Sequence, residues 1–303
     1  MRTRPFQQVD VFTATPLLGN PLAVVLDGEG LSDAQMQTFA AWTQLSETTF
    51  VLPPTPEGQA GGADYRVRIF TPGGELPFAG HPTLGTAHAW RKAGGQPQAT
   101  DRLVQECGVG LVTLREQDGR YAFAAPALRR AHPESAKLAA VLQAVGLASD
   151  EVLAAQHLDN GPHWLGLWLH DVGTVLSLTP DHAALKRLGI KVGVAAPRQT
   201  GSGLIRRASR EARAFAGHEH DTTDIEVRAF AAPVGIAEDP VTGSLNASLA
   251  QWLIADGHLP GRYRARQGTA LGRAGEIFVQ QDPAGQVWIG GDVADCIRGE
   301  VEL

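Results

Sequence analysis

The chain has 303 residues, enough for two domains of about 150 each, and an ordinary apolar fraction of 43%. Its net charge of −6, with acidic and basic residues interspersed, leaves no Lys/Arg block of the kind that binds nucleic acid. No stretch approaches the ~18 consecutive apolar residues of a membrane span, and the start Met1-Arg2-Thr3-Arg4-Pro5-Phe6 lacks a secretory apolar core, so a cytoplasmic location is expected.

In chain order, Gln8 to Thr13 reads as a strand, followed by a Gly19-Asn20-Pro21 turn and a second strand, Leu22 to Leu26. Ser32 with Gln35 forms a capping box and Leu31 with Met36 a hydrophobic staple, predicting a helix from Asp33 to about Trp42. Leu45 to Leu52 and Tyr65 to Phe70 read as strands.

Next comes His81-Pro82-Thr83-Leu84-Gly85-Thr86, which finds an echo in Asp239-Pro240-Val241-Thr242-Gly243-Ser244. Each copy follows an Arg-x-Phe strand end, Arg68 to Phe70 and Arg228 to Phe230. Pro is favoured at the first helical position and a polar residue before it can cap, so each copy predicts a helix N-terminus. The first helix is expected to end near Ala93 before Gly94, the second near Ala255 before Gly257. Both are apolar and Ala-rich, as buried helices are.

The remaining chain reads as strands within Asp101 to Leu114 and Gly119 to Ala124, helices at Ser135 to Val145 and Pro180 to Leu188, and a buried strand at Trp164 to Trp168. Final strands are expected at Val287 to Ile289 and Cys296 to Val301. The expectation is an α+β fold of two pseudo-symmetric halves, each a mostly antiparallel, barrel-like sheet wrapped around a central helix. One half takes residues 1–119 plus 287–303, the other 120–286. Two accidental Pro-Gly turns are the competing explanation of the repeat.

Cys107 and Cys296 are far apart and in no metal-ligand spacing. His218-Glu219-His220-Asp221 could bind metal, but no third ligand follows at a recognisable spacing, which favours a solvated loop.

Several ordered blocks resemble the PhzF-like family, the phenazine-biosynthesis isomerase group with a diaminopimelate-epimerase-type fold. They are Asp10-Val11-Phe12-Thr13 with Gly19-Asn20-Pro21, Leu45 to Val51, Arg68 to Thr71 through Glu75 to Thr83, Gly235 to Ser244, and Gln267-Gly268 with Gly272-Arg273. The resemblance implies a site in the cleft between the halves, cofactor-free chemistry and a homodimer. It assigns Glu47 the general acid/base role and places His81, Asp239 and Ser244 beside it. The related epimerases use two cysteines at two helix N-termini; here both regions lack cysteine.

From the residues themselves, a regular strand through Glu47 would put Leu45, Glu47, Thr49 and Val51 on one mostly apolar face, raising the carboxyl pKa if that face is buried. A frayed strand end in water is the alternative. His81 reads equally as a helix cap and as a site residue, whereas Asp239 reads first as an N-cap; the two roles are compatible, because a capping residue at an exposed helix end also faces any ligand bound there. Ser244 and Thr86 could contact ligand or bond backwards along their helices. Asn20 could be a turn former, or with Gln267 a neutral hydrogen-bonder of the pocket.

The expected function is a proton shift on a small carboxylic acid, held by backbone N–H groups of Gly80 to Gly85 and of Gly243 and Ser244, without metal or organic cofactor. An amino-acid epimerase or racemase, and a catalytically silent binding protein, are the alternatives.

Overall fold

The structure, a computed structural model, describes residues 1–117, 119–198 and 223–303. The segment carrying His218 to Asp221 lies outside the described residues.

The first strands are β1 (Thr3–Val11), β2 (Asn20–Val25), β3 (Thr48–Leu52), β4 (Tyr65–Thr71) and β5 (Gly74–Leu76). They are interrupted by helices α1 (Asp33–Thr43) and α2 (Pro56–Ala60). β1 ends sooner than the sequence suggests because Phe12 takes a left-handed backbone, φ 65°. α1 starts as expected: Ser32 Oγ accepts from the Gln35 amide, and the Gln35 side chain accepts from the Ser32 amide. β4 shows why these segments are strands: Tyr65, Val67 and Ile69 are buried on one face while Arg66 and Arg68 alternate on the other.

The helix α3 (Gly80–Lys92) follows, then β6 (Arg102–Cys107), β7 (Gly110–Gln117), β8 (Arg120–Ala124) and β9 (Arg129–Ala131). Helix α4 (Ser135–Val145) precedes β10 (Val152–Asp159) and β11 (His163–Leu169), and helices α5 (Val172–Ser177) and α6 (His182–Leu188) precede β12 (Val192–Pro197). The chain continues with β13 (Ile225–Ala231), β14 (Ile236–Asp239), α7 (Gly243–Ala255), β15 (Arg262–Gln267), β16 (Gly275–Gln281), β17 (Val287–Gly291) and β18 (Val293–Glu302).

All 18 described strands join one hydrogen-bonded sheet, giving a mixed α+β architecture. Its order of pairings occurs twice. β1–β2 is antiparallel, β2–β3 parallel, and β3–β4 antiparallel, with β4–β6 parallel. β10–β11, β11–β12, β12–β13 and β13–β15 follow the same series. The registers correspond too: Thr48 opposes Ala23 and Phe70, and Val192 opposes Leu165 and Phe230. The two series meet where β8 pairs antiparallel with β17, and β18 returns to β1.

α3 and α7, each 13 residues, are the most deeply buried helices. Their small residues let strands approach: a Cβ on Gly85 would lie 2.6 Å from Leu22 and 2.8 Å from Val11. Both helices stop as expected, before Gly94 at φ +100° and Gly257 at φ +77°.

Their starts differ from expectation. α3 begins at Gly80, so His81 is its second residue rather than its cap, and Pro82 its third. α7 begins at Gly243 after Thr242, leaving Asp239 at the end of β14 and Pro240 outside the helix. Matching the helix starts sets Gly80-His81 against Gly243-Ser244, so the two Pro-containing motifs are out of step by several residues. Pro82 is accommodated because N–H groups in the first turn have no helical acceptor. Pro240 is accommodated because it lies in the connection between strand and helix.

Candidate active site

The N-termini of α3 and α7 abut. A Cβ on Gly80 would lie 3.4 Å from the Gly243 Cα and 2.6 Å from the Phe123 ring, so glycine is needed for the approach. Neither helix has a side-chain cap. The amides of their first turns therefore face the junction without a capping group, and both dipoles point positive ends at it.

Glu47, His81 and Asp239 converge here. Glu47 lies outside β3, which begins one residue later, because the left-handed Gln44 (φ 56°) ends α1 and the chain bends through Leu45 and Ser46. The expected strand face through Leu45 and Glu47 therefore does not form, yet the Glu47 side chain is only 14% exposed. Its Oε2 lies 3.4 Å from His81 Nε2, and both atoms are buried without an aligned hydrogen-bond partner. Burial, reinforced by the Asp239 charge and opposed by a hydrogen bond with Ser46, pushes the Glu47 carboxyl up to about 8. Burial lowers the His81 imidazole to about 3. The close contact is thus between a protonated carboxyl and a neutral imidazole at pH 7, not an ion pair.

Asp239 is raised to about 6 by burial, against the hydrogen bonds from Thr242 and Asn20 and the Lys191 charge. Its Oδ2 accepts from Thr242 Oγ1 at 2.5 Å and its Oδ1 from Asn20 Nδ2 at 3.1 Å. Asn20 is fully buried and does more than form a turn: Nδ2 also donates to Val241 O at 2.8 Å, and Oδ1 accepts from Ser46 Oγ at 3.3 Å. It stitches the Glu47 segment to the Asp239 segment.

Gln267, also fully buried, is committed to the protein. Its Nε2 donates to Asp239 O and Thr242 Oγ1, and its Oε1 accepts from the Thr242 amide and Asn246 Nδ2. These bonds fix the connection into α7. Ser244 Oγ accepts from Trp164 Nε1 at 3.3 Å. Gly85 lies inside α3, packed on β1 and β2 away from the helix end. Thr86 donates to Thr49 Oγ1 at 2.9 Å within the core, rather than backwards along its helix.

Sequence reasoning missed Ser46, Thr242 and Trp164. Ser46 and Thr242 stand inside the quoted motifs, whereas Trp164 reaches the site only through strand pairing. No cluster of three metal-ligating side chains occurs among the described residues. Cys107 and Cys296 are free thiols, at the end of β6 and within β18, neither at a helix start.

The family profile of phenazine biosynthesis-like proteins, PhzC-PhzF, matches residues 9–296. The chain belongs to this family. Among its relatives, the trans-2,3-dihydro-3-hydroxyanthranilate isomerase of Pseudomonas aeruginosa is 33% identical over 97% of this chain and 98% of its own. Antisense-enhancing sequence 1 of Schizosaccharomyces pombe is 32% identical over 99% of both chains. A PhzF-family protein from Bacillus anthracis shares the fold, with a TM-score of 0.81 at 21% identity over the whole of both chains. This PhzC-PhzF protein is accordingly an isomerase of phenazine-biosynthesis-like type, and the convergence of Glu47, His81 and Asp239 lies within the matched region.

Proposed function

We propose that the enzyme moves a proton on a small carboxylic acid, without a cofactor, in the junction between the α3 and α7 N-termini. Glu47 acts as general acid and base. The observation that carries this reading is a carboxyl raised to about 8, 3.4 Å from a neutral imidazole, beside two uncapped helix starts.

At neutral pH the resting site holds Glu47 protonated, His81 neutral and Asp239 ionised. Glu47 gives its proton to one carbon of the substrate, and the carboxylate so formed takes a proton from another carbon, restoring the enzyme. Amides of Gly80, His81, Gly243 and Ser244 stabilise negative charge that develops on the substrate. The Asn20 and Gln267 bonds hold Asp239 beside the reacting carbons.

The repeated pairing order supports a fold of two pseudo-symmetric halves, with seams between β8 and β9 and between β17 and β18, each one strand later than the boundaries expected at residues 120 and 286. A homodimer and a cytoplasmic location belong to the same reading. A two-thiol racemase mechanism finds no groups to use, since the second residues of the paired helices are His81 and Ser244.

The deciding experiment is incubation of trans-2,3-dihydro-3-hydroxyanthranilate and a panel of other small carboxylic acids in deuterated water, read by mass spectrometry. Deuterium uptake at carbon is expected with at least one substrate. No uptake across the panel overturns the reading.

The pH profile follows from the same resting state. With Asp239 ionised above about 6 and Glu47 protonated below about 8, kcat/KM is expected to be bell-shaped between those limits. Initial rates across pH 4.5 to 9.5 check it, and a profile rising steadily through pH 9 contradicts the protonated form of Glu47 as the starting acid.

A further inference from the structure

Lys191 lies beside the site with no role assigned to it. It immediately precedes Val192, the first residue of β12, as Glu47 immediately precedes Thr48, the first residue of β3. Val192 and Thr48 hold corresponding registers, so Lys191 occupies in the second series the place Glu47 occupies in the first.

Its ammonium sits over the Trp164 ring, 4.6 Å from the centroid, and Trp164 Nε1 donates to Ser244 Oγ in the first turn of α7. Among the described residues Lys191 makes no ion pair and no side-chain hydrogen bond. Asp239 is close enough to interact with it electrostatically, but both Asp239 oxygens are already held by Asn20 and Thr242. The α7 start thus combines a cation without a fixed anion and amides without a cap. Across the junction, His81 is 5% exposed and its Nε2 is buried without a hydrogen-bond partner, as is Glu47 Oε2.

The two helix ends are therefore electrostatically unlike. The α3 end faces a neutral imidazole and a protonated carboxyl, whereas the α7 end adds the Lys191 ammonium beside an Asp239 carboxylate whose two oxygens are occupied by Asn20 and Thr242. A carboxylate gains most where a helix dipole and a formal cation coincide.

We propose that Lys191 is a substrate-recognition residue that, with the amides of Gly243 and Ser244, holds the substrate carboxylate at α7 and so turns the reacting carbons toward Glu47. This rests on the isomerase reading for what is held and extends it to which end of the substrate goes where.

The test measures binding of anthranilate by calorimetry. This aromatic acid has the carboxylate and amino group of the relative's named substrate in a ring that resists the proton shift. Lys191→Met keeps the length and the apolar contact with Trp164, and Lys191→Arg keeps the charge. Expected are a Kd raised about tenfold or more by Met, largely restored by Arg, and a wild-type affinity that weakens with salt where the Met variant's does not. In turnover, Met should raise KM more than it lowers kcat. Wild-type protein that fails to bind anthranilate, or a Met variant that binds it as tightly, overturns the inference. Lys191-dependent binding without deuterium exchange on any acid would leave this inference standing and defeat the isomerase reading. Exchange with Lys191-independent binding would do the reverse.

Discussion

Replacing Glu47 by Gln is expected to lower turnover by about 10²- to 10⁴-fold, the range for loss of a positioned acid/base, while KM changes little. Gln keeps the size and the polar contacts of the side chain but cannot shuttle the proton. The same substitution should change stability in a pH-dependent way. In the folded protein Glu47 holds its proton up to about 8, against an ordinary 4.5, so the folded state binds the extra proton between those values. The stabilisation associated with that proton is fully present below about 4.5 and lost as pH rises through 8. Glu47→Gln should therefore be more stable than the wild type at pH 9 and gain less at pH 5. Thermal melts at the two pH values check the difference, and an equal shift at both would show that Glu47 titrates normally. Deuterium uptake undiminished in the variant would remove Glu47 from the chemistry.

Arg228→Ala should destabilise the fold by roughly 3–5 kcal/mol, the cost of breaking a buried ion pair from one side. The guanidinium binds Glu238 through two bonds of 2.9 and 2.8 Å, and also donates to the carbonyls of Val175 and Leu178. Both partners of the ion pair are nearly buried, at 6% and 8% exposure. Truncation leaves the Glu238 carboxylate and those carbonyls without their donor. The fall in Tm should be of order 10 °C. The corresponding Arg68 binds Glu75 in the same two-bond manner, but Glu75 is 41% exposed, so Arg68→Ala should cost at most about 1 kcal/mol. Chemical denaturation of the two variants separates them. The double change Arg228→Met with Glu238→Leu should recover much of the loss, and equal costs for Arg228 and Arg68 would contradict a burial origin. Because Glu238 adjoins Asp239, Arg228→Ala should also depress kcat in the fraction that remains folded.

Local signals carried much of this architecture. The capping box at Ser32 and Gln35 placed α1, alternation placed β4, and the left-handed glycines after α3 and α7 placed their ends. The convergence of Glu47, His81 and Asp239 was legible through family motifs, whose order along the chain encodes a spatial cluster. The helix starts were less legible because Pro82 and Pro240 look alike in sequence but sit differently. One is inside a first turn that tolerates it, and the other lies in a connection where Asp239 accepts from Thr242 rather than capping the helix. The alternation through Leu45 and Glu47 failed because the left-handed Gln44 is invisible to a periodicity argument. Lys191 had no motif at all; its equivalence to Glu47 exists only in strand registers that join residues far apart in the chain. Asn20 and Gln267 looked like pocket-lining amides, and only their bonding partners show that their polar atoms are committed to the protein.

The pairing of β8 with β17 has a consequence for how the molecule comes apart. Backbone hydrogen bonds cross from one series of strands to the other, Trp288 opposite Ala124 and Gly291 opposite Tyr121, while β18 returns along β1. Neither series can lose its sheet without stripping partners from the other, so melting is expected to be cooperative across the chain rather than stepwise. Among the described residues, the strands that flank the junction of α3 and α7 then stand or fall together.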